Sequence, residues 1–271
     1  MTISLTAPDG TRLVAQRTGR GRPVVLVHGS AGGLGSWNPV VSLLEDGFEL
    51  WVYARRGYPP SDAVRQPKTY ADDVSDLHAV LAAAGGSAHV VGGSYGATVA
   101  LHAAAMDDTP IRSLALFEPP LFAAGAAAVA ALGPYRDLLD TGDLDAASRV
   151  FAEQVAHVPA AILDTTGEIV AVPADPARRA AATAEAWGCL RDLEAMAADT
   201  EEVARWAAIT IPVLLIQGGE TWAPMPATMN ALADVLPKAT RVVLPGQSHF
   251  ATHTAPELVA AALREFLLTH D

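Results

Sequence analysis

Val90-Val91-Gly92-Gly93-Ser94-Tyr95-Gly96-Ala97-Thr98-Val99 runs from a β-rich apolar stretch through Gly-x-Ser-x-Gly into a helix-compatible one. A turn of this kind lifts a serine hydroxyl above the end of a strand, and its tight backbone admits only small residues at Gly92 and Gly96. Ser94 is therefore the candidate nucleophile; its strand-turn-helix setting separates it from an ordinary Gly- and Ser-rich turn. A serine hydroxyl is a poor nucleophile at neutral pH and needs a base within hydrogen-bond reach, most often a histidine. Of the 8 histidines, His249 in Leu244-Pro245-Gly246-Gln247-Ser248-His249-Phe250 is the best placed, in a loop between the last strand and the last helix. His253 is the rival, four residues on but beside a helix start. Acyl transfer also needs backbone donors aimed at the developing oxyanion. His28-Gly29-Ser30-Ala31-Gly32-Gly33 follows an apolar strand and supplies one donor in the amide of Ser30, while the amide of Tyr95, the residue after the nucleophile, supplies the other. The loop has neither a Gly-Lys-Ser/Thr ending nor a Gly-x-Gly-x-x-Gly fingerprint, so no nucleotide cofactor is expected. No His/Asp/Glu cluster has ligand spacing, so no metal is expected either.

These residues need strands and helices to present them. Val24–Val27, His89–Val91, Leu114–Phe117, Val213–Ile216 and Val242–Leu244 read as buried parallel strands, each followed by turn residues. Helical spacing appears at Tyr70, Val74, Leu77, Leu81 and Ala84, and again at Leu258, Val259, Leu263, Phe266 and Leu267. The alternation predicts an α/β fold, a parallel sheet with helices on both faces. Thr254 and Glu257 flank Pro256 as a capping box for the last helix. Ile3–Leu5 and Leu13–Gln16, joined by Pro8-Asp9-Gly10, predict an edge hairpin. From Pro119 to Ile211 no strand is evident and 27 of 93 residues are alanine, which predicts a helical insertion.

Composition narrows the function classes. The 271 residues are 51% hydrophobic and 18% charged, with a net charge of −12, so the chain can bury a substantial core and disorder is excluded. An acidic chain without a basic stripe is not expected to bind nucleic acid or an anionic membrane. Residues 119–211 hold 14 acids against 6 arginines. That charge reads first as a solvated outer helix face and second as a field attracting cationic substrates. A lone Cys189 reads as a buried thiol, and the N-terminus lacks a signal-peptide pattern, so a cytoplasmic location is expected. The longest apolar run, 121–133, is too short to span a bilayer.

The His-Gly loop, the Gly-x-Ser-x-Gly elbow and the late histidine stand in the order of the α/β-hydrolase family, which the chain resembles over about residues 20–118 and 212–271. The resemblance implies a mostly parallel eight-stranded sheet, a core of 1–118 and 212–271, and a helical lid of 119–211. A serine nucleophile speaks against dehalogenase and epoxide hydrolase relatives, which use aspartate there. The family's usual acid follows the strand Val213–Ile216, but here that loop reads Gln217-Gly218-Gly219-Glu220-Thr221-Trp222, with Thr221 in the aspartate's place. Glu118, in Phe117-Glu118-Pro119-Pro120 at the end of the neighbouring strand, is the better candidate; Glu220 and a purely structural Glu118 stay open. The displaced glutamate, with Leu-Pro-Gly before a late His-Phe, is locally similar to the zearalenone lactonase branch. In Tyr53-Ala54-Arg55-Arg56-Gly57-Tyr58-Pro59 the family's aspartate and second glycine are replaced by Ala54 and Pro59, and Arg56 reads as a loop anchor. Trp187 and Trp222 are candidate walls of an apolar substrate pocket. The implied activity is cofactor-free serine hydrolysis of an apolar carboxylic ester or lactone. C–C bond hydrolysis, perhydrolysis or ligand binding without turnover are the alternatives.

Overall fold

The computed structural model describes residues 1–64, 66–120, 125–156, 158–160, 173–200 and 202–270. Eight strands make one sheet: β1 (Thr2–Thr6), β2 (Arg12–Gly19), β3 (Arg22–Val27), β4 (Phe48–Ala54), β5 (Ala88–Gly93), β6 (Ile111–Phe117), β7 (Val213–Gly218) and β8 (Ala239–Leu244). Their spatial order is β1-β2-β4-β3-β5-β6-β7-β8. The β1–β2 and β2–β4 pairs are antiparallel and all later pairs parallel. This is the α/β-hydrolase fold, and the edge hairpin forms as the sequence predicts.

The strands exist because both of their faces are buried. Successive side chains point to opposite sides, so Val25, Val27, Val90, Leu114, Leu116, Val213 and Leu215 enter one core while Val24, Leu26, Val91, Ala115, Phe117, Leu214 and Ile216 enter the other. The first core is covered by α2 (Tyr70–Ala83), α3 (Tyr95–Ala104) and α7 (Met225–Val235), the second by α1 (Asn38–Val41) and α9 (Pro256–Thr269). Each fully buried Val or Leu contributes roughly 1.5–3 kcal/mol, which makes the central strands the most firmly fixed part of the molecule.

Three local expectations change. Strand β4 was not among the apolar runs, because Glu49 interrupts it; that carboxylate pairs with Arg17 on β2 and accepts the Trp51 indole at 2.8 Å. The Thr254/Glu257 capping box does not form. Thr254 ends the short helix α8 (Ala251–Thr254), where its hydroxyl is 3.2 Å from Gln247 Oε1, and α9 starts after Ala255 with no side-chain cap. Leu258 is 43% exposed, whereas Val259, Leu263, Phe266 and Leu267 are buried.

Between β6 and β7 the described elements are all helical: α4 (Gly125–Thr141), α5 (Leu144–Val150), a π-helical turn at Phe151–Val155, α6 (Pro176–Ala198) and a 3-10 turn at Val203–Ala208. Asp175 begins α6 by accepting the Arg178 amide at 2.9 Å, with Pro176 in the first turn. Residues 121–124, 157, 161–172 and 201 of the expected insertion lie outside the described residues. No described helix is long and apolar enough to cross a membrane.

Candidate active site

Ser94 stands where β5 turns into α3, with φ 51° and ψ −123°, a conformation costly for any residue with a Cβ. The surroundings hold it there. The Ser94 amide donates to Phe117 O at 2.8 Å, and the Ser94 carbonyl accepts Ala97 N at 2.8 Å as the first bond of α3. The flanking glycines are obligatory: a Cβ on Gly92 would lie 2.6 Å from Ala97 Cα, and one on Gly96 would lie 2.4 Å from Val27 O. Close packing of β3, β5 and α3 thus forces the Ser94 turn outward, over the carboxyl ends of the strands.

Glu118, directly after β6, also has a positive φ of 44°, and its amide donates to Ile216 O at 3.3 Å. Its side chain is fully buried and every acceptor is engaged. Oε1 accepts Gly218 N at 2.8 Å; Oε2 accepts the Thr221 hydroxyl at 3.0 Å and His249 Nδ1 at 2.6 Å. An ionised carboxylate only accepts, so His249 Nδ1 is the donor of this pair and Nε2 is the ring nitrogen not engaged with Glu118. Ser94 and His249 share the wall of one cavity. No hydrogen bond joins them here; catalytic contacts of this type commonly tighten only when substrate binds. The structure therefore brings Ser94, His249 and Glu118 together and leaves Glu220 exposed with its amide on Gln247 O. His253 is exposed and its ring bonds the Thr252 hydroxyl, with no carboxylate partner. Thr221, which stands where the family's usual acid would, hydrogen-bonds Glu118 instead.

The loop after β3 is held from below by Arg55. Its Nε donates to His28 O at 2.9 Å and its Nη2 to Gly29 O at 3.1 Å. The Gly29 carbonyl and Ser30 N–H belong to one trans peptide and point opposite ways, so anchoring the carbonyl aims the amide away from Arg55. Neither the Ser30 nor the Tyr95 amide donates to the described protein, and both residues line the cavity. His28 is buried and neutral: burial and the Arg55 charge push its pKa down to about 3.

Arg55 belongs to a buried charge cluster that the sequence did not announce. It pairs with Asp192 of α6 at 2.6 and 3.0 Å, and Lys68 bridges Asp73 at 2.7 Å and Asp192 at 2.7 Å. The Tyr58 hydroxyl at 2.6 Å and the Ser30 hydroxyl at 2.8 Å complete the shell of Asp192, and the Tyr95 hydroxyl donates to Asp73 at 2.9 Å. Burial alone would raise the Asp192 pKa, but Arg55 and Lys68 hold it below the ordinary carboxylate range. The acids of 119–211 are thus not uniformly a solvated face: Asp192 is fully buried and ties α6 to the loop carrying Ser30. Arg56 does anchor a loop, through Asp76 at 2.6 and 2.7 Å and Asp9 at 2.9 Å.

The cavity holds about 460 Å³ and is mostly apolar, with Trp37, Phe117, Tyr135, Phe151 and Phe250 among its walls. Neither Trp187 nor Trp222 is among the described lining residues. Trp187 packs against the core beneath Arg191. The Trp222 ring centre lies 5.9 Å from that of His249, and its indole donates to Ala156 O at 2.5 Å, linking the histidine's surroundings to the helical segment. Cys189 is buried in the cavity wall, where burial raises its thiol pKa. No group of three potential metal ligands occurs among the described residues.

A strained serine turn, a buried carboxylate-histidine pair and two amides without a described partner thus lie together above a parallel sheet. The model of the alpha/beta hydrolase family matches residues 24–262, and the chain belongs to that family. It is 26% identical over 264 residues to 2-(acetamidomethylene)succinate hydrolase of Mesorhizobium japonicum, covering 94% of this chain and 91% of that one. Among solved structures it resembles an alpha/beta hydrolase from Sphaerobacter thermophilus (TM-score 0.82, 31% identity, 97% and 99% of the two chains). It also shares its fold with the enol-lactonase from Burkholderia xenovorans LB400 (0.80, 21%, 98% and 100%) and a thermophilic esterase from Thermogutta terrifontis (0.83, 22%, 100% and 99%).

Proposed function

We propose that the protein is a cofactor-free serine hydrolase of a carboxylic ester or lactone with an apolar body. The observation that carries this reading is the 2.6 Å contact between His249 Nδ1 and buried Glu118, in a cavity that also exposes Ser94 on its strained turn. Ser94 Oγ attacks the carbonyl carbon as His249 Nε2 takes its proton. The Ser30 and Tyr95 amides stabilise the oxyanion, and Glu118 orients the ring and offsets the imidazolium charge. Collapse expels the alcohol oxygen, which receives the proton from His249. Water, deprotonated by the same nitrogen, then releases the acid and restores Ser94. Residues 119–211 serve as the lid, with α6 clamped to the core through Asp192 and most of the apolar cavity wall drawn from α4 to α6. Enol-lactonase and esterase activities among its structural relatives, and the local likeness of Glu118 to the zearalenone lactonases, place enol lactones, simple esters and macrolactones first in the set to assay.

The test is steady-state hydrolysis of nitrophenyl esters and lactones of graded size by the wild type and Ser94→Ala. Turnover that falls at least about 10³-fold in the variant supports the acyl-enzyme. Full residual activity in Ser94→Ala contradicts it, and turnover confined to C–C or peroxide substrates moves the reaction class while keeping the triad.

A further inference from the structure

We propose that Glu185 makes this cavity selective for esters carrying an ammonium group, and against anionic ones. The inference rests on the hydrolase reading above and concerns the charge of the substrate, which that reading leaves open.

Ala182, Glu185, Ala186 and Cys189 all line the cavity. Their spacing is that of one stripe along α6, so the carboxylate projects from the face turned toward Ser94 and His249. It reaches across to the loop after β3, where a Cβ built on Gly33 would lie 3.9 Å from Glu185 Oε1. The other three cavity-lining members of the stripe are small and carry no charge.

Several other acids of this segment have cationic partners. Asp192 has Arg55 and Lys68, Glu194 has Arg136 and Arg191, and Asp199 has Arg205 and His102. Glu185 has no hydrogen bond or ion pair among the described residues, although it is half-buried. The described cavity wall contains no lysine, arginine or aspartate, and residues 121–127 and 161–172 contain no lysine or arginine in sequence. A bound carboxylate would therefore meet a like charge with no lysine or arginine beside it on the described wall, where the imidazoles of His28, His249 and His253 are the only basic side chains, whereas an ammonium would gain a counter-ion in a partly water-excluded site. The rings of Trp37, Tyr135 and Phe151 line the same space, and aromatic faces attract ammonium groups as well. Burial raises the Glu185 pKa, because desolvation disfavours its charged form, and a bound ammonium would favour that form again.

An isosteric pair tests the proposal: a choline ester and the 3,3-dimethylbutyl ester of the same acid, differing in one nitrogen for carbon, with the hemisuccinate as the anionic arm. In the wild type the ratio of kcat/KM, choline over dimethylbutyl, is expected at about tenfold, from a partly buried charge pair. Glu185→Gln should bring that ratio close to 1, and Glu185→Lys should invert it and favour the hemisuccinate. A wild-type ratio near 1, or a ratio that survives in Glu185→Gln, overturns the proposal. Titration calorimetry with tetramethylammonium and with neopentyl alcohol reads the same preference without turnover. A protein that hydrolyses neither these esters nor the nitrophenyl esters and lactones contradicts the ester-hydrolase reading, while the Glu185 inference stands or falls on the binding ratio.

Discussion

At the scale of single residues, the site turns on how one histidine is held. Glu118 Oε2 accepts both His249 and Thr221, so the hydroxyl at the position usual for the acid hydrogen-bonds the carboxylate proposed to take its place. Glu118→Gln keeps the shape but offers an amide donor where three donors converge. It should lower kcat by about 10²–10⁴-fold, the range seen when a triad's orienting group is neutralised. Glu220→Gln, at an exposed site, should leave kcat within about twofold; the reverse ranking in parallel steady-state assays would contradict the geometry. Thr221→Val removes one of the hydrogen bonds to the carboxylate and should cost about 1–3 kcal/mol of stability if the acceptor goes unsatisfied, read by chemical denaturation. Ser94 and His249 were legible because their motifs are local in sequence. The contact of Thr221 and Gly218 with Glu118 spans some 100 residues and depends on β6 and β7 being neighbours, which no local pattern states.

The elements show where legibility ends. Parallel strands announce themselves because burial on both faces demands unbroken apolar runs; β4 escaped since Glu49 breaks its run and is rescued by Arg17 from the adjacent strand. Helix α6 illustrates the opposite failure. Its alanines indicate helix, but nothing in its composition distinguishes buried Asp192 from its solvated neighbours, because the distinction lies in Arg55 and Lys68 on the other side of the site. Removing Asp192 would leave two buried cations facing Asp73 alone. Asp192→Ala should therefore destabilise the fold by about 3–5 kcal/mol, measured by urea titration, and loosen the loop bearing Ser30. Gly96→Ala should be equally severe, since the new methyl meets the Val27 and His28 carbonyls at 2.4 and 2.5 Å; a variant that folds with normal stability would refute the tight elbow.

On the scale of the whole molecule, charge and protonation link stability to the site. His28 is buried neutral with a pKa of about 3 against an ordinary 6.5, and burial likewise lowers His89 to about 4. Between those values and 6.5 the unfolded chain binds protons that the folded one refuses. The stability of the folded state is therefore intact above pH 6.5 and declines as pH falls toward 3, by an amount on the order of a few kcal/mol. Thermal melts between pH 7 and 4 should show this slope, and His28→Gln should flatten it. The net charge of −12 divides between a solvated exterior and carboxylates that hold α6 in place, so it bears on architecture as well as solubility. On the proposed mechanism, Ser94 is a nucleophile activated by the His249–Glu118 pair. Intact-protein mass spectrometry after exposure to a fluorophosphonate tests it most directly. One phosphonyl adduct per chain, mapped to Ser94, absent in Ser94→Ala and slowed at least about 10²-fold in Glu118→Gln, is the expected result; an unlabelled wild type, or labelling at equal rate in Glu118→Gln, would contradict it.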